Sequence, residues 1–142
     1  MDFGTEISKI MPLILREVTR KQMRILAKDF LAIPHIIILD LLLEKGPCRM
    51  TELAKALGLT GPAITAIADK MLRLKLVKRE RSSEDRRVVK VSILEKGEKT
   101  IRRINVERRD AANAIFSPLA KEERREYLSL LRKVYLNLRQ KQ

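Results

Sequence analysis

A dense run of basic side chains is the feature of this sequence with the clearest chemistry. Between Lys70 and Lys90, nine lysine and arginine residues stand against three acidic residues, which gives the segment a net charge of +6. Guanidinium and ammonium groups at this density bind phosphate oxygens. The whole chain carries a net charge of +13 at pH 7. Charge alone therefore favours a polyanionic partner, which is DNA, RNA or an anionic membrane surface.

Two short segments rich in β-branched residues predict that this basic run contains a β-hairpin. The strands are Val77–Arg81 and Val88–Ser92, and the polar sequence SSEDRR lies in the loop between them. Ahead of the hairpin, Thr60 is placed as the N-cap of a helix that has Pro62 in its first turn. The sequence therefore predicts a capped helix followed by a basic hairpin.

The helix that starts at Thr60 has one apolar face and one face of small and polar residues. Small side chains near its N-terminal end let a helix press into a DNA major groove about 12 Å wide. Free N–H groups near Thr60 and Gly61 favour a phosphate at the same end. The core-facing positions are Ile64, Ile67, Met71 and Leu74, and the opposite face holds Pro62, Ala63, Thr65, Ala66, Asp69, Lys70 and Arg73.

Further apolar patterns predict helices on both sides of this segment. A short helix over Arg49–Leu57 ends at Gly58 and forms a helix-turn-helix with the helix that follows. Pro12 either kinks the first helix or marks where its regular part begins. The other helices cover about residues 4–29, His35 to about Glu44, about 95–116 and about 121–139. The order is α-α-α-α-β-β-α-α, a mainly α chain with a small β-hairpin wing.

Four short motifs resemble the MarR family of winged helix-turn-helix regulators. The similarity covers about Leu31 to Gly97 well, and the flanking helices match by pattern only. The motifs are Glu52-Leu53-Ala54, Pro62-Ala63-Ile64-Thr65, Asp85-Arg86-Arg87 and Glu95-Lys96-Gly97.

The resemblance implies a winged domain over residues 31–97, between an N-terminal dimerisation helix in 1–30 and C-terminal dimerisation helices in 98–142. It implies a homodimer that binds double-stranded DNA at a pseudo-palindromic site. In the family the wing arginine, here Arg87, enters the minor groove while Asp85 orients the tip. Asp69 is expected to pair with Arg73 or with a wing arginine. The implied DNA-binding residues are Thr60, Gly61, Pro62, Ala63, Thr65, Ala66, Lys70, Arg73, Arg86 and Arg87.

Some positions depart from the family pattern. Lys75 stands where a glycine usually follows the recognition helix, which puts a strain-free left-handed turn in doubt. Four helices lack the usual Ser or Thr at their start, and each lost cap costs about 1 kcal/mol. The residues at these starts are Ala32, Arg49, Leu94 and Ala120.

The resemblance also implies control by a small phenolic or other amphipathic effector. Arg16, Arg20 and His35 are weak candidates for its binding site. The single cysteine, Cys48, is expected to be a small buried apolar residue rather than a redox sensor.

An enzyme, a cofactor and a metal site are not expected. The sequence has no Cys or His cluster, no nucleophile–His–acid set around its only histidine, and no glycine-rich phosphate loop. The N-terminus lacks the order of a signal peptide, and the apolar run Ile36–Leu43 is too short to span a bilayer, so a cytoplasmic protein is expected.

The sequence therefore predicts a sequence-specific transcriptional regulator, a ligand-responsive repressor that acts as a homodimer. The alternative is a basic winged-helix protein that binds DNA without sequence preference, as an architectural protein, or binds RNA. A further alternative is a module that binds a partner or a membrane through its basic amphipathic first helix.

Overall fold

The computed structural model describes residues 2–140, which form six helices and one small sheet. Across this range no helix is both long and apolar enough to cross a membrane. The helices are α1 (Phe3–Ala27), α2 (Ile33–Lys45), α3 (Met50–Leu57), α4 (Gly61–Arg73), α5 (Glu95–Ile115) and α6 (Lys121–Gln140), and the strands are β1 (Cys48–Arg49), β2 (Val77–Arg81) and β3 (Val89–Ile93).

The sheet has three antiparallel strands in the order β1-β3-β2. Strands β2 and β3 form the expected hairpin, with Val77 opposite Ile93 and Arg81 opposite Val89. The two-stranded wing of the prediction was incomplete, because β1 pairs Cys48 with Val91 on the other side of β3. Two residues are too few to show the alternation that marks a strand, so the sequence pattern did not indicate β1.

Helix α2 lies at the centre of the core, as its nearly all-apolar sequence predicts. Five of its residues are buried, and Leu39 and Ile38 have no exposed surface. Each neighbouring element contributes a buried side chain to the same cluster, which explains why the short helices and the hairpin hold their places. Residues of this cluster outside α2 include Leu26, Leu53, Ile64, Met71, Val77, Val91, Ile101 and Ile104.

Helix α1 begins well before Pro12, so one of the two interpretations of this proline is wrong. The Asp2 carboxylate accepts the N–H of Thr5 at 3.1 Å and caps the helix, which then continues through Pro12 to Ala27. Pro12 therefore does not mark the start of the regular helix.

Two of the predicted cap losses are partly compensated by the residue three positions later. The N–H of Ala32 donates to Nδ1 of His35 at 3.0 Å, and the N–H of Ala120 donates to Oε2 of Glu123 at 2.7 Å. Each contact is the half of a capping box that does not need a hydroxyl at the N-cap. Arg49 makes no side-chain cap at the start of α3.

The turn after α4 is left-handed although it lacks the usual glycine. Lys75 has φ 59°, close to the 65° of Gly58 in the turn after α3. The N–H of Lys75 donates to the carbonyl of Leu72, and the N–H of Leu76 donates to the carbonyl of Met71. This is a Schellman motif, and the lysine adopts its conformation at a cost of about 1–2 kcal/mol.

The described residues fall into two compact units, divided between Glu107 and Arg108. The first unit holds the sheet and the core described above. In the second unit, the rings of Phe116 and Tyr127 lie 5.3 Å apart, and Nε of Arg124 donates to the carbonyl oxygens of Phe116 and Leu119. No residue of α6 is buried.

Candidate nucleic-acid interface

The first turn of α4 is capped and exposed. The Thr60 hydroxyl accepts the N–H of Ala63 at 3.3 Å, and the Thr65 hydroxyl donates to the carbonyl oxygen of Gly61 at 2.9 Å. Because that bond uses the Thr65 proton, the hydroxyl remains an acceptor for an outside donor. The exposed residues of this tip are Thr60, Gly61, Pro62, Thr65 and Ala66, and Ala63 is half-buried.

The opposite face of α4 anchors the helix in the core. Ile64 and Met71 are buried, and Ile67 and Leu74 pack partly buried against the core cluster. The predicted division of this helix into two faces is confirmed. The small-residue tip is therefore held toward solvent by a rigid apolar face.

An ion pair ties α4 to the wing. The guanidinium of Arg79, on β2, donates to Oδ1 of Asp69 at 3.3 Å. The sequence left the partner of Asp69 open between Arg73 and a wing arginine, and in the structure the partner is Arg79. The ion pair neutralises part of the Asp69 charge that would otherwise repel phosphate. It also fixes the direction of the Arg79 side chain.

The wing tip is ordered by Asp85. Its Oδ1 accepts the backbone N–H of Arg87 at 3.0 Å and Nε of the same residue at 3.2 Å. These hydrogen bonds hold the pKa of the Asp85 carboxyl below its usual range. The Arg87 side chain stays 92% exposed, and Arg81 donates to the carbonyl oxygen of Arg86 across the loop. Asp85 therefore holds an exposed arginine at the tip of the hairpin.

A cleft of about 680 Å³ opens between the start of α3, the tip of α4 and the wing. We call it the arginine cleft, because four arginines and no acidic residue line it. Guanidinium groups that converge on one concave surface form a site for an extended polyanion. Its lining consists of Arg49, Met50, Thr51, Thr65, Arg79, Arg81, Arg87, Val88 and Val89.

Sequence reasoning missed several residues of the arginine cleft as candidates for binding. Arg79 and Arg81 alternate with outward residues on β2, in the same phase as the buried Val77, so strand periodicity would have placed both toward α4. Arg49 and Thr51 depend on the position of β1, which no sequence pattern indicates.

Eight of the ten predicted DNA contacts lie outside the lining of the arginine cleft, and three of these eight are basic. Arg86 and Arg73 are exposed, on the wing loop and near the end of α4. Lys70 is half-buried, and its charge acts on His35. The structure therefore places only Thr65 and Arg87 of the predicted contacts in the cleft itself.

Among the weak effector candidates, two share an ion-pair partner on α1 and the third is buried at the start of α2. Arg16 and Arg20 both pair with Glu17 on the exposed surface of α1, at 3.4 and 3.8 Å. His35 is buried, and its Nδ1 accepts the N–H of Ala32. Burial, together with the positive charge of Lys70, lowers the pKa of His35. The histidine therefore acts as a neutral cap of α2.

Cys48 is buried in β1, as expected of an apolar cysteine. Its Sγ donates to the carbonyl oxygen of Gly46 at 3.4 Å. Burial, and next the charge of Glu52, raise the pKa of this thiol. A raised pKa disfavours the thiolate, which is the reactive form.

Comparisons with known proteins agree on one family. Residues 31–89 match the family model described as MarR family. The HTH-type transcriptional regulator YpoP of Bacillus subtilis is 35% identical over 104 residues, which are 73% of this chain and 70% of YpoP. A MarR family protein from Bacillus stearothermophilus has 27% identity and a TM-score of 0.82, with 97% of this chain and 98% of that chain covered. BpsR of Bordetella bronchiseptica shares the fold at 18% identity, with a TM-score of 0.79 and with 95% of this chain and 96% of that chain covered.

Proposed function

The chain belongs to the MarR family of transcriptional regulators, which are DNA-binding proteins and not enzymes, and from this premise we propose that it represses transcription as a homodimer on a pseudo-palindromic DNA site. The observation that carries the proposal is the arginine cleft beside the exposed tip of α4. The two features together offer a base-reading helix and a surface for the DNA backbone.

The tip of α4 is the proposed reader of base edges. Its exposed surface consists of a glycine, a proline, two threonines and an alanine, so the backbone can approach the floor of the major groove. Thr65 accepts a hydrogen bond from a base amino group, and the methyl of Ala66 meets a thymine methyl. Thr60 and the first N–H groups of the helix bind a phosphate.

The arginine cleft is the proposed path of one DNA strand between helix and wing. Arg79, which Asp69 orients, and Arg81 neutralise phosphates along the inner face of the wing. Arg49 and Thr51 bind the same strand from the start of α3. Arg87 continues past the backbone into the minor groove, and Arg86 binds a phosphate beside it. Lys70 and Arg73 add phosphate contacts along α4.

The homodimer is proposed from apolar surface that each unit leaves exposed. Helix α1 exposes Phe3, Ile10 and Ile14, and α6 has no buried residue at all. Exposed side chains at helical spacing form stripes of a kind that monomeric proteins rarely leave open to water. A second copy of the chain covers them and sets the two recognition helices about one DNA turn, ~34–36 Å, apart.

Control by a small amphipathic effector completes the proposal. Binding of DNA by BpsR is regulated by 6-hydroxynicotinic acid, and BpsR shares the fold of this chain. An effector that binds one separation of the two recognition helices better than the other shifts the dimer away from DNA. Arg16 and Arg20 are proposed to exchange Glu17 for an acidic effector, whereas His35 is already engaged as a helix cap.

Selection from a random duplex DNA pool tests the proposal. The selected duplex and a scrambled duplex are titrated at two salt concentrations with the wild type, with Arg87→Ala and with Arg125→Ala. The last variant removes the same charge from an exposed position on α6. We expect a palindromic winner, a preference of about 10³-fold or more, and weaker binding by Arg87→Ala alone.

Two outcomes would contradict the proposal. Equal binding of both duplexes, with a steep salt dependence, would mean that the protein is a non-specific architectural or RNA-binding protein. Binding of neither duplex at low salt would exclude DNA as the partner.

A further inference from the structure

The motif Glu95-Lys96-Gly97 lies at a joint that no DNA contact explains. Here the chain leaves β3 and enters α5, beside the turn that connects α4 to β2. The N–H of Leu94 donates to the carbonyl oxygen of Leu76 at 2.9 Å, and Nζ of Lys96 donates to the carbonyl oxygen of Leu74 at 2.9 Å. Two hydrogen bonds thus connect the start of α5 to the end of α4.

Gly97 brings the two backbones into direct contact at this joint. A Cβ at position 97 would overlap the carbonyl oxygen and carbon of Leu76 and press on Ile93. Gly97 is buried, and a larger residue here would have to displace the backbone at Leu76. The absence of a side chain is therefore what lets α5 lie against the turn.

Lys96 binds a carbonyl that the turn itself leaves open. In the Schellman motif after α4, the carbonyls of Met71 and Leu72 accept the N–H groups of Leu76 and Lys75. The carbonyl of Leu74 lies beyond these two bonds and receives the ammonium of Lys96 instead. A positive charge at the C-terminal end of a helix also interacts favourably with the helix dipole.

From these contacts we propose that Lys96 is a positioning residue for DNA binding, which fixes the end of the recognition helix and the base of the wing without touching DNA. The inference rests on the proposed function. The Lys96 bond holds the C-terminal end of α4, while the tip that reads DNA begins at Thr60. The thirteen residues of α4 between Thr60 and Leu74 span about 20 Å of helix, which places the ammonium far from the groove.

The strained turn makes this joint a point where the orientation of α4 can be set. Lys75 holds a left-handed conformation that a lysine disfavours, so the turn depends on its surrounding contacts. Loss of the Lys96 bond leaves the bond from Leu94 and the packing of Gly97 to hold α4 and the wing in register. A small change at the turn is then amplified over the length of α4.

The test compares Lys96→Met with Lys96→Arg and Lys99→Met. Methionine keeps the unbranched apolar stem of the side chain and removes the donor, whereas arginine keeps a donor. Lys99, which pairs with Glu95 at 3.0 Å and is 77% exposed, supplies the control for loss of one positive charge on the same helix. Affinities for the selected duplex are measured by titration over a range of salt concentrations. Hydrogen exchange at the amides of Leu76 and Leu94 is followed by NMR in the absence of DNA.

We expect Lys96→Met to bind the selected duplex about 3- to 10-fold more weakly than Lys99→Met, with the salt slope of the wild type. Lys96→Arg should restore affinity to within about 2-fold, the lower end of the same coupling range. In Lys96→Met the amides of Leu76 and Leu94 should exchange faster than in Lys99→Met.

Other results would overturn the inference. A salt slope reduced by about 0.9 would make Lys96 a phosphate contact. A lower melting temperature with unchanged affinity would restrict Lys96 to a structural role. Unchanged hydrogen exchange at the amides of Leu76 and Leu94 would show that the Lys96 bond does not stabilise this joint, whatever the effect of the substitution on DNA affinity. If the wild type binds no specific duplex, the proposed function fails and the DNA role of Lys96 with it, while the exchange result still decides whether Lys96 holds the joint.

Discussion

Helices α2 and α6 are both rich in large apolar residues, yet only one of them is buried. Five residues of α2 are buried, including Leu39 and Leu42. Helix α6 has no buried residue, and Leu131 and Leu138 are 39% and 58% exposed. From this difference we propose that the chain completes the region around α2 by itself and that α6 is covered by a second copy.

The two sequences already contain this difference. In α2 the run IIILDLLL is apolar nearly all round, which suits a helix surrounded by its own chain. In α6 an exposed apolar stripe recurs at helical spacing between charged residues, which suits a helix with one covered face. The stripe of α6 consists of Leu128, Leu131, Val134, Tyr135 and Leu138. On this proposal, internal packing stabilises the winged region and association of two copies stabilises α6.

The largest effect is expected in α2. Leu39→Ala should lower the free energy of unfolding by about 2–5 kcal/mol, because it removes a fully buried side chain and leaves a cavity. Chemical denaturation measures the change. Leu136→Ala is the control, since this α6 residue is 58% exposed and lies off the stripe, and it should change the same quantity by less than about 0.5 kcal/mol. Similar losses of unfolding free energy in both variants would contradict the proposed difference between α2 and α6.

Charges on the stripe of α6 should break the dimer and leave the winged region folded. In Leu131→Asp/Leu138→Asp, two carboxylates would have to be buried without partners between copies. The dimer dissociation constant should rise by about 100-fold or more, which is about 2.7 kcal/mol. Sedimentation velocity over a concentration series measures it. An unchanged dimer would show that another surface joins the copies.

A smaller effect is expected at the left-handed turn within the winged region. Lys75→Gly should raise the free energy of unfolding by up to about 1 kcal/mol, because it relieves strain at φ 59°. The reverse change, Gly58→Lys, introduces the same strain in the turn after α3, where open space surrounds the residue. Thermal unfolding should therefore shift in opposite directions for the two variants. A shift in the same direction would mean that strain does not decide either turn.

The smallest effect is expected from His35 and only under acidic conditions. Its pKa is lowered in the folded protein, so the unfolded chain binds a proton first as the pH falls. Stability is therefore fully present above the unfolded pKa of about 6.5 and declines as the pH falls from there toward the folded pKa. Melting temperatures between pH 7.5 and 5 should fall more for the wild type than for His35→Gln. An equal dependence of melting temperature on pH in both proteins would mean that His35 does not cause the loss of stability in acid.

Much of the fold could be predicted because the helices carry strong local signals. The 3,4 spacing of Ile64, Ile67 and Met71 and the cap at Thr60 fixed α4 closely. Strand β1 could not be predicted, because a pair of residues becomes a strand only when β3 lies beside it. The turn at Lys75 went against local preference, since buried Met71 and Leu76 outweigh the strain.

The candidate site was predicted in part for the same reason. Asp85 and Arg87 are two residues apart, so their contact is local and readable from the sequence. The arginine cleft joins three separate stretches of chain, and Arg49 enters it only through the tertiary fold. The partner of Asp69 was left open between two arginines because ten residues and a turn separate it from Arg79.

One titration tests whether the exposed stripes hold two winged regions in a dimer that binds both half-sites of one DNA site. The selected duplex is compared with the same duplex carrying five extra base pairs between its half-sites. The insertion turns one half-site to the opposite face of the DNA, beyond the reach of a dimer whose recognition helices lie about one turn apart. We expect a loss of affinity of about 100-fold or more, toward the affinity of a single half-site. Equal affinity for both duplexes would mean that each copy binds alone, and it would rule out a dimer that holds both half-sites at once.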